Sequence, residues 1–334
     1  YDEFMEAIKN GTKDDTFGFV FANSGATASD FLNIFGVSAG LNNAFNSDLK
    51  YEYTSTKMLN LLTAVEEMTK SSYMPNYGVE ASQRMVMCET GNAMIFGKAM
   101  PLFENNINKN NAAIEANDGT AVENSIPVTY AFLPVPTMDG VEESCYGTVD
   151  GLVAFRNSNS TDEHIQNVMK ALYFLSSGER AAYVDASTCL DGVCASAREA
   201  LASMDTGDRD QGNIDCAARL IKTVVAPPTG ITAEQTASAK QLMDEVIVPK
   251  FQALIAGETT AQAMYDEIVK QAEAYRESKI NEANGQAARF EELFNEYQKY
   301  PLITKQRLFY EAMEEIAHRE KPKLIICGAS SYPR

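Results

Sequence analysis

From Thr260 to Tyr300, apolar and small residues recur every three to four positions for most of the span: Met264, Ile268, Ala272, Tyr275, Ala283, Ala287, Phe290, Phe294 and Tyr297. This spacing sets them on one face of a helix, which at about 1.5 Å per residue would run roughly 60 Å. A helix of that length projects from a compact domain unless another surface receives it, so any fold for this chain has to be arranged around it.

The chain has 334 residues, of which 45% are hydrophobic and 22% charged. It can bury a sizeable core, and the length suits two domains or lobes. The formal net charge of −18 argues against nucleic acid or an anionic membrane surface as the main partner, since both reward clustered Lys and Arg. An uncharged or cationic ligand fits that balance better. The charge is uneven: residues 276–334 hold 10 basic and 9 acidic residues, which leaves 18 basic and 37 acidic for residues 1–275. That asymmetry suggests two origins.

No stretch of about 18 apolar residues is present, and Tyr1 opens directly on "YDEFMEAIKN", a helix already under way. Either a signal has been removed or the start of the gene product is absent. The six cysteines lack paired C-x-x-C spacing, which makes a zinc site unexpected. "TCLDGVC" could close a small disulfide loop between Cys189 and Cys194, or the two thiols are free and buried.

"TSTKMLNLLTAVEEMTKS" puts Met58, Leu61, Leu62, Val65 and Met68 on one helical face after Ser/Thr capping residues. "ASQRMVMCETGNAMIFGKAM" passes from helix through Gly91 into an apolar segment, Ala93 to Phe96, that ends at Gly97. Helix, glycine stop and buried strand suggest an α/β layer. "IPVTYAFLPVPTMDG" reads as an extended strand broken by Pro134 and Pro136, and "YGTVDGLVAFRNSNS" as a loop feeding a strand from Gly151 to Phe155. A helix comes next, with Thr161 as N-cap and Ile165, Val168, Met169, Leu172 and Leu175 on one face. From about Ser196 the pattern is helical, with a break at "VVAPPTGIT". At the far end, Leu324 to Cys327 reads as a buried strand entering a small-residue loop just before Arg334.

No catalytic set emerges. The two histidines, His164 and His318, sit near no motif, so serine-hydrolase and H-E-x-x-H zinc chemistry lack their parts. "GNAMIFGKA" fails as a phosphate loop because five residues separate Gly91 from Gly97 and Ala99 stands where a Ser/Thr would hold magnesium. No metal and no cofactor is expected. What stands out is binding-type material at strand ends. Tyr146, Gly147, Thr148 and Asp150 combine an aromatic face, a flexible turn and two hydrogen-bonding groups, which suits orienting a neutral polar ligand in a cleft, or forms an ordinary turn. Phe96 and Lys98 are weaker candidates, their alternatives being core packing and a solvated turn.

The order of these features across residues 1–275 resembles the family 1 extracellular solute-binding proteins of ABC importers, especially the sugar binders. The likeness is carried by "YDEFMEAIKNG", "GNAMIFGKAM", "FLPVPTMDG", "YGTVDGLVAFRNSNSTDEHIQNVMKALYFLSSGERAAYV" and "VPKFQALIAGETTAQAMYDEIVKQAEAY". It implies an α/β, periplasmic-binding-protein-like (type II) architecture of two lobes around a ligand, with the N-terminal lobe incomplete and a long helical extension at the C-terminus. It also implies a sugar as ligand, an ABC permease as membrane partner, a place outside the cytoplasmic membrane, and lipid anchoring, although no anchor cysteine stands at the N-terminus. Sugar binders of this family usually stack their ligand on tryptophan; this chain has none, and Tyr or Phe would have to stand in.

Two further resemblances lie beyond residue 275. "SKINEANGQAARFEELFNEYQKYPLITKQRLFYEAMEEI", within 276–316, resembles the C-terminal helical region of HflK-type proteins of the stomatin/prohibitin superfamily. It implies a membrane-associated scaffold as the alternative function. "AHREKPKLIICGASSYPR", 317–334, resembles serine hydroxymethyltransferase. In that family Ser330 would lie near the pyridoxal phosphate pocket, but the lysine that forms the Schiff base is absent, so a fragment of a pyridoxal-phosphate enzyme is the third and weakest reading. The three segments together read as a chimera joined near residues 276 and 317.

Overall fold

The computed structural model describes residues 1–25, 27–97, 101–147, 152–178, 180–182, 195–201 and 209–321. They divide into two compact units, Tyr1–Gln271 and Ala272–Arg334.

In the first unit, α1 (Asp2–Gly11) leads into β1 (Phe17–Val20), and the chain returns through α2 (Thr27–Gly36), α3 (Thr56–Lys70) and α4 (Ala81–Glu89) to β2 (Ala93–Phe96). The two strands are parallel, with Phe17 opposite Ala93, Phe19 opposite Ile95 and Val20 opposite Phe96. A parallel pair needs such a helical crossover. After β2 come α5 (Pro101–Ala116), α6 (Asp162–Leu175), α7 (Ala195–Leu201), α8 (Gln211–Leu220), α9 (Ala233–Leu242), a π-helical turn (Met243–Ile247), α10 (Val248–Ile255) and the beginning, up to Gln271, of α11 (Ala261–Lys299).

The core is aromatic where the strands meet the helices. Phe19, Phe21, Phe31 and Phe35 are buried together, and Phe31 packs on Phe251 of α10 with ring centroids 5.1 Å apart. The predicted face of α3, Met58, Leu61, Leu62, Val65 and Met68, is fully covered. Met264 and Ile268 at the start of α11 close the same core. Each such side chain contributes about 1.5–3 kcal/mol of burial, which is what draws the distant C-terminal helices onto the N-terminal ones. Two polar bonds fix the register: Ala261 N donates to Glu66 Oε2 at 3.1 Å, and the Tyr265 hydroxyl donates to the Thr54 carbonyl at 2.8 Å.

Several expectations change. β1 has no helical period and no alternation, so the sequence pattern does not announce it. Residues 126–138 are extended but form no ladder among the described residues. Pro127, Pro134 and Pro136 remove backbone donors, and side-chain amides take the place of a partner strand. Asn111 Oδ1 accepts from Val128 N while its Nδ2 donates to the Val128 carbonyl. Asn213 does the same for Phe132 N and the Tyr130 carbonyl. Residues 152–155 are likewise not a strand: Phe155 is 90% exposed, with no partner strand beside it among the described residues. Thr161 does cap α6, accepting from His164 N at 3.1 Å, but no residue of α6 is buried.

The long helix is present almost at its predicted bounds. Its 39 residues span about 58 Å, yet of its nine-residue stripe only Met264 and Ile268 are buried, both in the first unit. In the second unit, Pro301 at the first position of α12 (Pro301–Glu320) begins a new helix, and Arg307 Nη2 bonds Glu296 Oε2 at 2.6 Å across the junction. Phe290 and Phe294, one turn apart, stack at 6.3 Å and are 67% and 49% exposed. The strand expected over Leu324–Cys327 lies outside the described residues. Among the described residues, no helix is long and apolar enough to cross a membrane.

Candidate functional site

The two strands point their C-terminal ends the same way, and an aromatic residue stands at each. Phe21 comes directly after β1, and Phe96 closes β2. Phe21 lies so close over Gly97 that a β-carbon there would fall 1.7 Å from its ring, so this crossing requires glycine. The carboxyl ends of parallel strands are the usual place for ligands in open α/β sheets, because the helix starts and loops there leave a crevice.

Around these ends the described side chains form one constellation. Phe96 is half-buried, with its ring 5.8 Å from Phe103 of α5 and 5.2 Å from Tyr130; Tyr130 meets Phe132 edge-on at 5.5 Å. Arg84 of α4 enters the same aromatic group, its guanidinium 4.8 Å from the Phe103 centroid and 5.9 Å from that of Phe21. Burial pulls its pKa down, while Tyr130 and Asp30 push it back up.

Asp30, in the first turn of α2, also faces Tyr146. Burial raises the Tyr146 pKa, the Asp30 carboxylate raises it further, and a hydrogen bond with the Asn33 side chain opposes both. Asn33 in turn accepts from the Tyr53 hydroxyl at 2.8 Å. Burial of Tyr53, with Tyr146 adding to it, pushes that phenol up to about 12. Both tyrosines are therefore neutral near pH 7.

Residues 144–147 are held in place by their neighbours. The Ser144 hydroxyl donates to Asn42 Oδ1 at 2.6 Å, and Cys145 bridges Val224 in parallel. Gly147 is exposed, and a β-carbon there would stand 2.9 Å from Val224 Cγ1. On the other side a buried carboxylate anchors the Tyr130–Phe132 segment. Glu104, 2% exposed, accepts from Asp210 N at 2.7 Å, Asn213 Nδ2 at 2.9 Å and Arg209 Nε at 3.2 Å. The same Asn213 carries the backbone at 130 and 132.

Of the residues expected at a site, Tyr146 and Phe96 belong to this constellation and Gly147 adjoins it. Thr148, Asp150 and Lys98 lie outside the described residues, as do Cys189 and Cys194. Sequence reasoning missed Asp30, Asn33, Arg84 and Tyr130. The trace of the first two in the sequence is the short apolar run Phe17 to Phe21 leading into "ANSG", which by itself does not mark a strand. Cys88, Cys145 and Cys216 are free, and no group of three metal-binding side chains occurs among the described residues.

No protein-family model and no curated protein matches the chain in sequence. Nothing in the comparisons supports the resemblances of residues 276–316 and 317–334. Solved structures do match the fold. One is the maltose/maltodextrin-binding domain MalE from Bdellovibrio bacteriovorus bound to maltotriose, with a TM-score of 0.54 and 15% identity, covering 83% of this chain and 66% of that one. Another is maltose-bound MalE3 of T. maritima, with a TM-score of 0.53 and 17% identity, covering 82% and 65%. A third is the ABC substrate-binding protein Lmo0181 from Listeria monocytogenes in complex with cycloalternan, with a TM-score of 0.51 and 13% identity, covering 81% and 62%. The chain thus spans just under two thirds of the length of these structures. The fold is periplasmic-binding-protein-like, in a largely helical form.

Proposed function

We propose that residues 1–275 bind a small polar solute, a sugar, outside the cytoplasmic membrane and deliver it to an ABC permease. The observation that carries this reading is the polar and aromatic constellation of Phe96, Tyr130, Tyr146, Asp30 and Asn33 at the carboxyl ends of two parallel strands. Sugars are recognised by aromatic faces that cover their C–H surfaces and by fixed hydrogen-bonding groups around the rim. The fold shared with maltose- and maltotriose-bound proteins supports the same class of ligand. Tyr146, Gly147, Thr148 and Asp150 are the proposed contacts, with Phe96 and Lys98 beside them. The role is binding rather than catalysis. Calorimetric titration of the full chain with glucose, galactose, maltose and maltotriose tests it: saturable heat with any of them supports the assignment, and the absence of binding to a broad carbohydrate panel overturns it.

A second reading, assembly through the tail, is favoured by the outward-facing pair Phe290 and Phe294 on α11. In this reading residues 276–316 act as a scaffold and residues 317–334 form a separate segment. Peptide mapping across Tyr275–Lys279 and Ile316–Lys321 tests the three-part division: peptides that span both points establish one polypeptide, and separate termini there establish three.

A further inference from the structure

A cavity of about 810 Å³ opens at the amino ends of β1 and β2, the opposite end of the strand pair from Phe21 and Phe96. Its walls come from the turn before β1, the loop after α3, the outer side of α4 and the residue before β2. That volume lies within the range of small-molecule sites. The turn is fixed from both sides. Lys13 and Thr16 bridge across it, the Thr16 hydroxyl donates to the Gly91 carbonyl at 3.0 Å, and Asn92 Nδ2 donates to the Asp15 carbonyl at 3.0 Å. Asp14 and Asp15 are thereby held at the cavity, and among the described residues that line it they are the only charged ones. Neither forms an ion pair among the described residues. Phe17, two residues further on, meets Tyr77 edge-on with ring centroids 6.4 Å apart. Tyr77 is 49% exposed and Val86 of α4 is 45% exposed, so a solute reaches both. Val86 and Met87 add an apolar wall.

We propose that this cavity binds an organic cation of the quaternary ammonium class. Such a group is recognised by aromatic faces and by opposite charge, with no need of a directed hydrogen bond. Phe17 and Tyr77 supply the rings, Asp14 and Asp15 the charge, and Val86 and Met87 a surface for the apolar body. A primary ammonium is strongly hydrated and loses more on leaving water. A neutral ligand would leave the repulsion between the two carboxylates unrelieved, and an anion would add to it. The net charge of −18 acts in the same direction, drawing cations toward the chain. This cavity lies at the far end of the strands from the constellation assigned to a sugar, and the two readings stand or fall separately.

The test is calorimetric titration of the full chain with choline and with 3,3-dimethyl-1-butanol, which keeps the shape of choline but has carbon in place of the charged nitrogen. Choline should bind saturably and at least tenfold more tightly, and its affinity should weaken as sodium chloride rises from 50 to 500 mM. Asp14→Asn combined with Asp15→Asn should lower choline affinity at least tenfold. Both positions are exposed, and asparagine accepts the left-handed backbone of Asp14 at φ 44°, so the fold is kept. Tyr77→Ala should also weaken choline, through loss of a ring. Absence of saturable choline binding, equal binding of the neutral isostere, or unchanged affinity in the double variant overturns the inference. Displacement of choline by maltose would put the cation at the other end of the strands and overturn it as well. Should no sugar bind, the reading of the other site falls and the choline series still decides this one.

Discussion

Tyr53 donates its hydroxyl to Asn33 Oδ1 at 2.8 Å, and the same Asn33 side chain acts on Tyr146, opposing the rise that burial gives its pKa. One amide on α2 is therefore shared by two tyrosines that are 93 residues apart in the chain. Tyr53 is buried and Tyr146 only half-buried, so the inner ring acts as a support and the outer one is free to meet a ligand. Tyr146→Ala should lower sugar affinity roughly 2- to 12-fold, the equivalent of about 0.5–1.5 kcal/mol of aromatic stacking, with little change in melting temperature. Tyr146→Phe should keep most of the stacking. Calorimetry with thermal melts checks both, and equal affinity of wild type and Tyr146→Ala would remove Tyr146 from the site.

Asn33→Ala should behave differently. It leaves the buried Tyr53 hydroxyl without its acceptor, at a cost of about 1–3 kcal/mol, and it also releases Tyr146. Stability and affinity should fall together, and a double-mutant cycle with Tyr146→Phe should show coupling between the two positions. Additive effects in that cycle would mean the shared amide does not position the ring.

Asn213→Ala tests the anchor on the other side. The substitution frees Phe132 N, the Tyr130 carbonyl and one bond to Glu104 at once. With Glu104 still held by Asp210 N and Arg209, the expected destabilisation is about 2–4 kcal/mol, read as a lower urea midpoint at unchanged slope. Glu104→Gln should cost as much or more, because it leaves the largely buried Arg209 without its carboxylate.

The parts of this molecule legible in its sequence are those whose periodicity is local. The α3 stripe from Met58 to Met68, the Thr161 cap and the length of α11 are each set by residues within one element. β1 was hidden because Phe17 to Phe21 is a short apolar run with no alternation, and only its pairing with Ala93–Phe96 makes it a strand. The supposed strand at 126–138 misled for the opposite reason: its residues favour extension, but whether extension becomes a ladder is decided by Asn111 and Asn213, remote in sequence. The site divides in the same way. Tyr146 stood out beside Gly147, whereas Arg84 looks in sequence like any solvated residue of an amphipathic helix. Its burial is set by Phe103 and Phe21, which the fold brings from either side.

Glu66 offers a pH test of the long-range closure. Its hydrogen bond to Lys70, at 2.6 Å, is the main cause that holds its carboxyl below the ordinary range, with the Ala261 N–H and the Lys70 charge helping and burial opposing. A carboxyl depressed on folding adds stability at neutral pH, where both folded and unfolded forms are ionised. That stability fades as pH falls from about the unfolded value near 4.3 through the lower folded one. The wild-type protein should therefore lose stability on acidification below about pH 5 more steeply than Glu66→Gln, which is already weaker at pH 7 because the start of α11 has lost its charged cap. Urea midpoints at half-unit steps from pH 7 to pH 3 would show the two curves converging in acid. Parallel curves would mean that folding does not hold the Glu66 carboxyl down.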